Sequence, residues 1–240
     1  MGSERIHLFD TPLLVSRNMG LAVDQRAAKR VMDILISGIG IIITSPIMLI
    51  IAIAVKAYDR GPVFYFQDRL TLGGKPFKIC KFRSMCVDSE KNGARLASKH
   101  DSRITPVGHV LRNLHLDELP QLFNVFKGDM SLVGPRPERE SIMLEYEKEL
   151  PEFYYRLKVK AGLTGYAQVY GKYNTTPYDK LKLDLFYIEN YSFLLDIKLI
   201  FMTVKIFFQK EVSEGVDDRQ VNALKYSGKN AGVSENKTEE

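Results

Sequence analysis

Two adjacent acids, Asp117 and Glu118, stand at the start of an apolar pattern with helical spacing. The apolar residues recur at i, i+3, i+4 and i+7 and share one helix face: Leu119, Leu122, Phe123 and Phe126. Pro120 fits only in the first turn of a helix, so the pattern predicts a helix that starts near Asp117. Asp117 is then a candidate N-cap, and capping alone accounts for one acid at this position.

The second acid and the basic residues nearby indicate phosphoryl chemistry. A helix N-terminus attracts phosphate through its free N–H groups and its dipole. Carboxylates repel phosphate unless a divalent cation lies between them, and Mg²⁺ binds one or two carboxylates together with phosphate oxygens. We therefore expect Mg²⁺-assisted transfer in which one acid binds the metal and the other attacks phosphorus to form an acyl-phosphate. Adjacent acids are too close in sequence to flank a glycosidic bond as in glycoside hydrolases.

Candidate cations for a polyanionic substrate lie on both sides of the acid pair. Residues 61–113 contain ten Lys and Arg against four Asp and Glu, and Arg112 stands at the end of this stretch. A basic segment beside a membrane helix also meets anionic lipid head groups, and both interpretations stay open. Downstream, Arg136 stands between Pro135 and Pro137, which stiffen the backbone. This arrangement is typical of a rigid turn with a surface arginine, or of a guanidinium fixed for a phosphate or a planar base.

An uncharged apolar run of 22 residues, 34–55, precedes the basic stretch. As a helix it is about 33 Å long, enough to cross a bilayer. Ser45 and Pro46 lie in its middle, and Pro46 lacks an N–H and clashes with the carbonyl of Ile42, so we expect a kink or break there. Basic residues flank both ends: Lys29, Arg30, Lys56 and Arg60. The positive-inside bias places both ends on the cytoplasmic side, and the residues alone fit a re-entrant hairpin and a kinked spanning helix equally well.

Two further patterns complete the fold prediction. Residues 63–69 and 77–83 have the composition of two strands of a β-hairpin around a glycine turn. Residues 192–210 are strongly apolar, and three polar residues share one helix face there: Lys198, Lys205 and Gln209. This fits either an interfacial helix or a core helix with a solvated stripe. We predict an α+β fold that is mostly helical, with a membrane helix, a small β-hairpin or sheet, and interfacial amphipathic helices.

Composition excludes several other classes of protein. The chain has 240 residues, of which 45% are hydrophobic and 26% charged, so it is not disordered or of low complexity. Its two cysteines, Cys80 and Cys86, exclude a disulfide scaffold and a four-cysteine zinc site, and its four His residues lack paired metal-binding spacing. A net charge of +5 gives no reason to expect nucleic acid as a partner. The polar stretch 211–240 predicts a mobile tail.

Several motifs occur in a fixed order along the chain: Ser45-Pro46, Gly61-Pro62-Val63-Phe64, Lys81-Phe82-Arg83-Ser84-Met85, Leu116-Asp117-Glu118-Leu119-Pro120-Gln121, Gly134-Pro135-Arg136-Pro137-Glu138 and Gly162-Leu163-Thr164-Gly165. The ordered set resembles the bacterial sugar transferases, the monotopic phosphoglycosyl transferases that act on polyprenyl phosphate. Residues 171–192 resemble the exopolysaccharide-initiating members in particular. His115 and Tyr166 depart from the residues usual in the family, and neither belongs to the acid pair.

This resemblance implies a reaction in two steps. In the family a UDP-sugar binds with Mg²⁺, the aspartate that matches Asp117 attacks the β-phosphate and releases UMP, and undecaprenyl phosphate then takes the phosphosugar from the enzyme. Glu118 matches the metal-binding partner of that aspartate, so both acids are candidate metal ligands. Arg112 matches a phosphate-binding arginine, and Arg136 matches a nucleotide-binding one. Two further residues match a substrate-binding motif near the phosphates: Lys81 and Arg83.

The resemblance also implies an organisation of the chain. Residues 1–28 correspond to the linker that joins this region to an N-terminal membrane domain in long members, and they are expected to be the remnant of such a junction. Residues 29–60 form the re-entrant membrane helix, 61–210 the catalytic domain with interfacial helices, and 211–240 the tail. The expected location is the cytoplasmic face of the bacterial inner membrane, where the reaction initiates exopolysaccharide, capsule or glycan assembly. Membrane lipid joins the two substrates as a partner, a homodimer is left open, and the sequence does not determine which sugar is transferred.

Two other functions stay in view. A membrane-anchored basic module that binds anionic lipid without catalysis leaves the acid pair without a role. A different Mg²⁺-dependent phosphotransferase, such as a lipid kinase or phosphatase, needs a nucleoside-triphosphate loop or a second metal cluster, and the sequence shows neither.

Overall fold

The computed structural model describes residues 3–8, 11–16, 23–87, 89, 101–171 and 175–208, and it describes only the backbone of 3–16, Val23 and 207–208. The predicted tail 211–240 lies outside these residues, as do Gln209 and Lys210 of the predicted interfacial segment. Helices account for most of the described residues: α1 (Val23–Asp59), α2 (Pro106–Asn113), α3 (Gln121–Lys127), α4 (Glu140–Glu149), α5 (Tyr166–Tyr170), α6 (Pro177–Glu189) and α7 (Phe193–Phe208).

The described strands form three two-stranded sheets: β1 (Ser3–Leu8) with β2 (Thr11–Ser16), β3 (Phe64–Leu70) with β4 (Pro76–Phe82), and β5 (Ser131–Val133) with β6 (Gly162–Thr164). The first two pairs are antiparallel and the third is parallel. Short 3₁₀ segments complete the fold: Leu72–Gly74, Leu116–Glu118 and Pro151–Lys158. The prediction of a mostly helical α+β fold with small sheets is confirmed.

The hairpin of β3 and β4 confirms the strand prediction to within one residue at each end. Gly73 and Gly74, in the turn, have φ angles of +69° and +74°, which glycine adopts without strain. In the antiparallel register Tyr65 stands opposite Lys81, so these two side chains lie on the same face of the hairpin.

Glycines of the sequence motifs allow two backbone segments to lie in direct contact. Gly134 follows β5, and β6 lies beside it in parallel. A Cβ atom on Gly134 would lie 2.3 Å from the carbonyl oxygen of Lys160, and one on Gly165 would lie 2.2 Å from the carbonyl oxygen of Gly134. A side chain at either position would push the segments apart. The glycines therefore determine where the loop that begins at Pro135 leaves the β5–β6 pair.

Two hydrophobic cores hold these elements together. The larger core gathers residues from β4, α3, β5, α4, α6 and α7, and its largest fully buried side chains are Phe153, Met130, Leu181, Leu185, Tyr187 and Leu199. The smaller core joins α1 to β4 and α2 and contains Met48, Ile51, Val55, Phe82 and Leu111. The second half of α1 thus packs on β4 and α2, the two elements that precede the acid pair in the chain.

Helix α1 has 37 residues and is about 55 Å long. Within the described residues it is the one helix whose length and composition allow it to cross a membrane. Pro46 lies inside the helix, and Ser45 Oγ donates a hydrogen bond to the carbonyl oxygen of Ile42 at 2.8 Å. Ser45 thereby supplies a donor to the carbonyl that Pro46 leaves without one. Pro46 does not interrupt the helix, and a re-entrant course stays a prediction.

The basic residues at the start of the apolar run bind the rest of the domain. Lys29 is buried and donates to Asp196 Oδ2 of α7 at 2.5 Å. Arg30 donates to the carbonyl oxygens of Val125 and Phe126, at the end of α3, at 2.8 and 2.7 Å. Lys29 and Arg30 therefore fix α1 to the domain, a role that the positive-inside bias does not predict.

Helix α7 carries an exposed face in which apolar and basic residues alternate. Leu194 and Phe201 are 76% and 71% exposed, and Lys198 and Lys205 lie on the same face. The interfacial location of this helix, with lysines at the level of the head groups, stays a prediction.

Candidate active site

The acid pair lies in the 3₁₀ turn between α2 and α3. The prediction of a helix start near Asp117, with Asp117 as its N-cap, is wrong: α3 begins at Gln121, and no side-chain cap is formed there. The reason lies before the pair, where His115 adopts a φ of +51° and ends α2. The chain then continues through hydrogen bonds of the i→i+3 type, such as Glu118 N to His115 O at 3.2 Å.

Helix α3 turns Asn124 toward the domain and Leu122 and Phe126 toward α1. Asn124 is buried, where its Oδ1 accepts from Cys80 N at 2.9 Å and its Nδ2 donates to Lys78 O at 2.8 Å. On the other side Phe126 lies against Gly38 of α1 and remains 48% exposed. Asn124 therefore holds α3, and with it the acid turn, against β4.

Glu118 is held by two cations from different parts of the chain. Lys81 Nζ of β4 lies 2.8 Å from Oε1, and Arg136 Nη2, from the loop after β5, lies 2.6 Å from the same oxygen. Burial would raise the pKa of Glu118, but the charges and hydrogen bonds of Arg136 and Lys81 outweigh it and hold this pKa well below its usual range. Glu118 is therefore ionised at neutral pH.

Asp117 differs from its neighbour in having no such partner. Its side chain is buried, and none of the described residues donates a hydrogen bond to it or forms an ion pair with it. Burial and the charge of Glu118 raise the pKa of Asp117, while the charges of Lys81 and Arg112 act in the opposite direction. Adjacent carboxyls whose pKa values move apart in this way are typical of acids with separate roles in one site.

Arg112 lies in the last turn of α2 and approaches Asp117 without pairing with it. Its Nε donates to Ser84 Oγ at 2.9 Å. Helix α2 lies close to this serine because Gly108 has no side chain: a Cβ there would lie 1.9 Å from Ser84 O. The structure thus brings Arg112, like Lys81 and Arg136, to the surroundings of the acid pair.

The structure places Arg83, for which binding near the phosphates stays a prediction, beside the end of α1. Its guanidinium forms an ion pair with Asp59 at the end of α1 and lies beneath Gly61, whose Cβ would be 2.1 Å from Nη1. Arg83 is buried there, so in this structure it joins α1 to β4 and makes no contact with Glu118 among the described residues. Ser45 and Pro46, predicted as the break of the membrane helix, lie inside the continuous helix α1.

Sequence reasoning missed a group of charged residues behind Arg136: Arg69, Glu138, Arg156, Lys180 and Asp184. Arg156 and Asp184 form a buried ion pair, with Nε 2.6 Å from Oδ2. One signal was available, because Asp184 shares the helix face of Leu181 and Leu185, which are fully buried. An acid on an apolar helix face indicates a buried partner.

The acid pair has the donor groups for a Mg²⁺ ion whose remaining ligands come from a bound substrate and water. Within the described residues no group of three or more acidic, His or Cys side chains is placed to hold a metal. Asp117 and Glu118 supply two carboxylates, and Asp117 has no partner in the part of the chain that the structure describes. This donor set is too small for a metal site made by the protein alone, but it suits Mg²⁺ that completes its shell with phosphate oxygens and water.

Comparison with known proteins identifies the family. The family model described as bacterial sugar transferase matches residues 24–210. A UDP-N-acetylgalactosamine-undecaprenyl-phosphate N-acetylgalactosaminephosphotransferase of Aeromonas hydrophila is 46% identical over 74% of this chain and 43% of its own length. A UDP-glucose:undecaprenyl-phosphate glucose-1-phosphate transferase of Klebsiella pneumoniae is 43% identical over 83% of this chain and 42% of its own length. An uncharacterized sugar transferase of Bacillus subtilis is 38% identical over 83% of this chain and 96% of its own length.

The chain therefore belongs to the bacterial sugar transferase family, as its ordered motifs indicate. It spans less than half the length of the Aeromonas and Klebsiella relatives.

Proposed function

We propose that this chain transfers a sugar-1-phosphate from a UDP-sugar to undecaprenyl phosphate and releases UMP. The observation that carries the proposal is the contrast within the acid pair. Glu118 is held by Lys81 and Arg136, whereas Asp117 is buried beside it and pairs with none of the described residues. A carboxylate with no partner is available as a nucleophile. Membership of the family and the names of the relatives support this class of reaction.

In the first half-reaction a carboxylate oxygen of Asp117 attacks the β-phosphorus of the UDP-sugar. The bond from that phosphorus to the bridging oxygen breaks, UMP leaves with that oxygen, and an aspartyl-phosphosugar remains. In the second half-reaction an oxygen of undecaprenyl phosphate attacks the same phosphorus, which frees Asp117 and forms the lipid-linked diphosphate sugar. A covalent intermediate allows a water-soluble donor and a membrane-bound acceptor to use one site in turn.

Cations around the pair reduce the repulsion between Asp117 and the diphosphate. Arg112, Lys81 and Arg136 place three positive charges near the two acids. Lys81 and Arg136 bind Glu118 in this structure, and a diphosphate offers them a second anion to share. Glu118 and Asp117 would hold a Mg²⁺ ion, which would supply further neutralisation of the charge on the leaving UMP.

The same proposal places the site at the cytoplasmic face of the inner membrane, with α1 entering one leaflet. Both ends of α1 contact one domain: Lys29 pairs with Asp196 near the start, and Asp59 pairs with Arg83 at the end. These contacts support a course in which both ends of α1 lie on the same side of the bilayer. Cysteines at the exposed positions Asp24 and Tyr58, with Cys80 and Cys86 replaced by Ser, should react from the same side; labelling from opposite sides excludes the re-entrant course.

The decisive experiment measures UMP release by the membrane-reconstituted protein with Mg²⁺, undecaprenyl phosphate and UDP-glucose, UDP-galactose, UDP-N-acetylglucosamine or UDP-N-acetylgalactosamine. Relatives named for glucose and for N-acetylgalactosamine leave the sugar open, and this panel includes both. Without lipid, UMP release should stop at about one equivalent, and mass spectrometry should place a phosphosugar on the peptide containing Asp117. Vesicle binding without UMP release from any donor would favour a non-catalytic module for anionic lipid. We also propose that the reaction initiates exopolysaccharide assembly. A strain that lacks the gene for this protein should then lose the polymer.

A further inference from the structure

Three consecutive carbonyl groups in the loop after β5 accept hydrogen bonds from groups outside the loop. Each bond joins one donor to one carbonyl oxygen: Arg156 Nη2 to Arg136 O at 2.9 Å, Arg69 Nη1 to Pro137 O at 3.0 Å, and Leu70 N to Glu138 O at 3.0 Å. We call the two guanidinium groups of Arg69 and Arg156 the carbonyl clamp.

Acids hold both members of the carbonyl clamp in orientation. Arg156 Nε lies 2.6 Å from Asp184 Oδ2, and both side chains are nearly inaccessible, at 3% and 1% exposure. The carboxylate of Glu138 lies between the two arginines, 3.7 Å from Arg69 Nη1 and 3.8 Å from Arg156 Nη1, and it also pairs with Lys180. Each guanidinium is thereby fixed by an acid and directed at a carbonyl.

Side chains supply two of these three donors. Pro135 and Pro137 lack N–H groups, so the loop cannot form a regular ladder with a neighbouring strand, and the backbone reaches it through single bonds such as Leu70 N to Glu138 O. Its carbonyls still need donors where they are buried. A buried charge network is an expensive way to stabilise a fold, since apolar residues of similar size do so equally well. The network does, however, fix the position of the Arg136 backbone. The side chain of Arg136 is 41% exposed and reaches Glu118.

Arg69 also links the loop of Arg136 to the strand position beside Lys81, the other cation that pairs with Glu118. Its Nε donates to Gln67 Oε1 at 2.9 Å, and Gln67 Nε2 donates to Tyr65 OH at 2.9 Å. Tyr65 stands opposite Lys81 in the hairpin. One row of hydrogen-bonded side chains therefore runs along β3 from the loop of Arg136 to the strand position beside Lys81.

We propose that Arg69 and Arg156 are positioning residues that act through Arg136: they hold its loop so that its guanidinium meets Glu118 and the diphosphate of the donor. This inference rests on the proposed function and goes beyond it, because it assigns a role to two residues outside the acid site. Their contribution should fall on the half-reaction with the UDP-sugar, since Arg136 is assigned to the donor and not to the lipid.

The test uses Arg69→Lys and Arg156→Lys, which keep the charge but cannot bind an acid and a carbonyl with one planar group. Arg103→Lys is the matched control. Arg103 also pairs with an acid, Asp101, and donates from Nη1 to Ser89 O at 3.1 Å; its side chain is 23% exposed, against 18% for Arg69. Hydrogen exchange of the peptide that spans residues 131–140 should be faster in both clamp variants and unchanged in the control.

Kinetics separate positioning from mere stabilisation. As a single substitution, with Arg136 kept, Arg69→Lys should lower kcat/KM for the UDP-sugar about tenfold. In an Arg136→Ala background the same substitution should cost less than about twofold, because the residue through which it acts is gone. Transfer from the isolated phosphosugar-enzyme to lipid should keep the wild-type rate in both clamp variants.

Unchanged exchange in the 131–140 peptide, or a loss that is the same with and without Arg136, overturns the proposal. The exchange measurement needs no turnover, so it decides the clamp even if wild-type protein releases no UMP and the proposed function fails. Arg156 is the more buried of the two; if its variant does not fold, Arg69→Lys alone gives both readouts.

Discussion

Two buried charge clusters in this molecule are built from similar residues and have opposite properties. At the junction of α1 and α7, Asp196 is completely buried and binds Lys29 at 2.5 Å and the hydroxyl of Tyr187 at 2.8 Å. At the acid site, Asp117 is also largely buried, at 9% exposure, and has no partner among the described residues. We call these the junction cluster (Lys29, Tyr187 and Asp196) and the acid site (Lys81, Asp117, Glu118 and Arg136).

The difference separates a structural cluster from a functional one. A buried carboxylate without a partner lowers the stability of the fold, so its presence indicates a role in binding or catalysis. The junction cluster satisfies its charges internally, so its substitutions should affect stability. The acid site leaves Asp117 unsatisfied, so substitutions of Asp117 should affect activity and leave stability unchanged or improved.

The largest effect is expected for Asp117→Asn. Because the amide is no nucleophile, UMP release should fall by about 10⁴-fold, and neither the burst nor the phosphosugar adduct should form. Thermal unfolding should occur at the wild-type temperature or above it, since the substitution removes a buried charge that lacks a partner. Substantial activity in this variant, with initial-rate plots that intersect, would reduce Asp117 to a metal ligand or a base.

Glu118→Gln should lower activity by about 10³-fold, because Lys81 and Arg136 lose the acid that holds them and Mg²⁺ loses a ligand. EDTA should abolish turnover of the wild-type protein, and added Mg²⁺ should restore it. The matched control is Asp129→Asn, since Asp129 pairs with Lys127 and Asn124 and touches neither cation of the site. Turnover that survives EDTA would remove the metal from the reaction.

Lys29→Met tests the junction cluster and should destabilise the protein by about 3 kcal/mol, because Asp196 stays buried without its cation. The folded fraction should keep its UMP release per molecule. Adding Asp196→Leu should recover most of the stability, since an apolar pair needs no compensation. The comparison between the two clusters fails if Lys29→Met leaves the unfolding temperature unchanged, or if it inactivates protein that is still folded.

The pH dependence of stability sharpens the same comparison. The pKa of Asp117 is raised in the folded protein, so its contribution to stability is fully present below the unfolded pKa and is lost as pH rises through the folded pKa. Asp117→Asn removes this loss. The unfolding temperature of the variant, minus that of the wild type, should therefore increase from about pH 4 to pH 7. A difference that is constant with pH would show that Asp117 has its ordinary pKa.

The smallest effect is expected within α1. Ser45→Ala removes the donor that serves the carbonyl of Ile42 and should destabilise the helix by about 1 kcal/mol. In a Pro46→Ala background the backbone N–H of residue 46 can bind that carbonyl, and Ser45→Ala should then have almost no effect. Thermal unfolding of the four proteins in one lipid environment measures this coupling, and equal losses in both backgrounds would contradict it.

The local patterns of the sequence determined much of this protein. The hairpin of β3 and β4, the apolar length of α1 and the amphipathic α7 follow from periodicity over neighbouring residues. The ordered motifs indicated the family, and they placed Asp117, Glu118, Arg112, Lys81 and Arg136 in one site. These features depend on short segments whose residues act through their own neighbours in the chain.

Only the tertiary structure decided which charges meet. Asp117 and Glu118 are adjacent in sequence, but Asp117 has no partner among the described residues, while Glu118 is held by Lys81 and Arg136, which lie 37 and 18 positions away in the chain. Arg83 pairs with Asp59 at the end of α1, and Arg156 donates to the backbone carbonyl of Arg136. The helix start near Asp117 was also wrong, because the left-handed His115 and tight i→i+3 bonds replaced a capped helix. Such contacts depend on strand register and on glycines that let backbones touch, and no local pattern encodes a partner so distant.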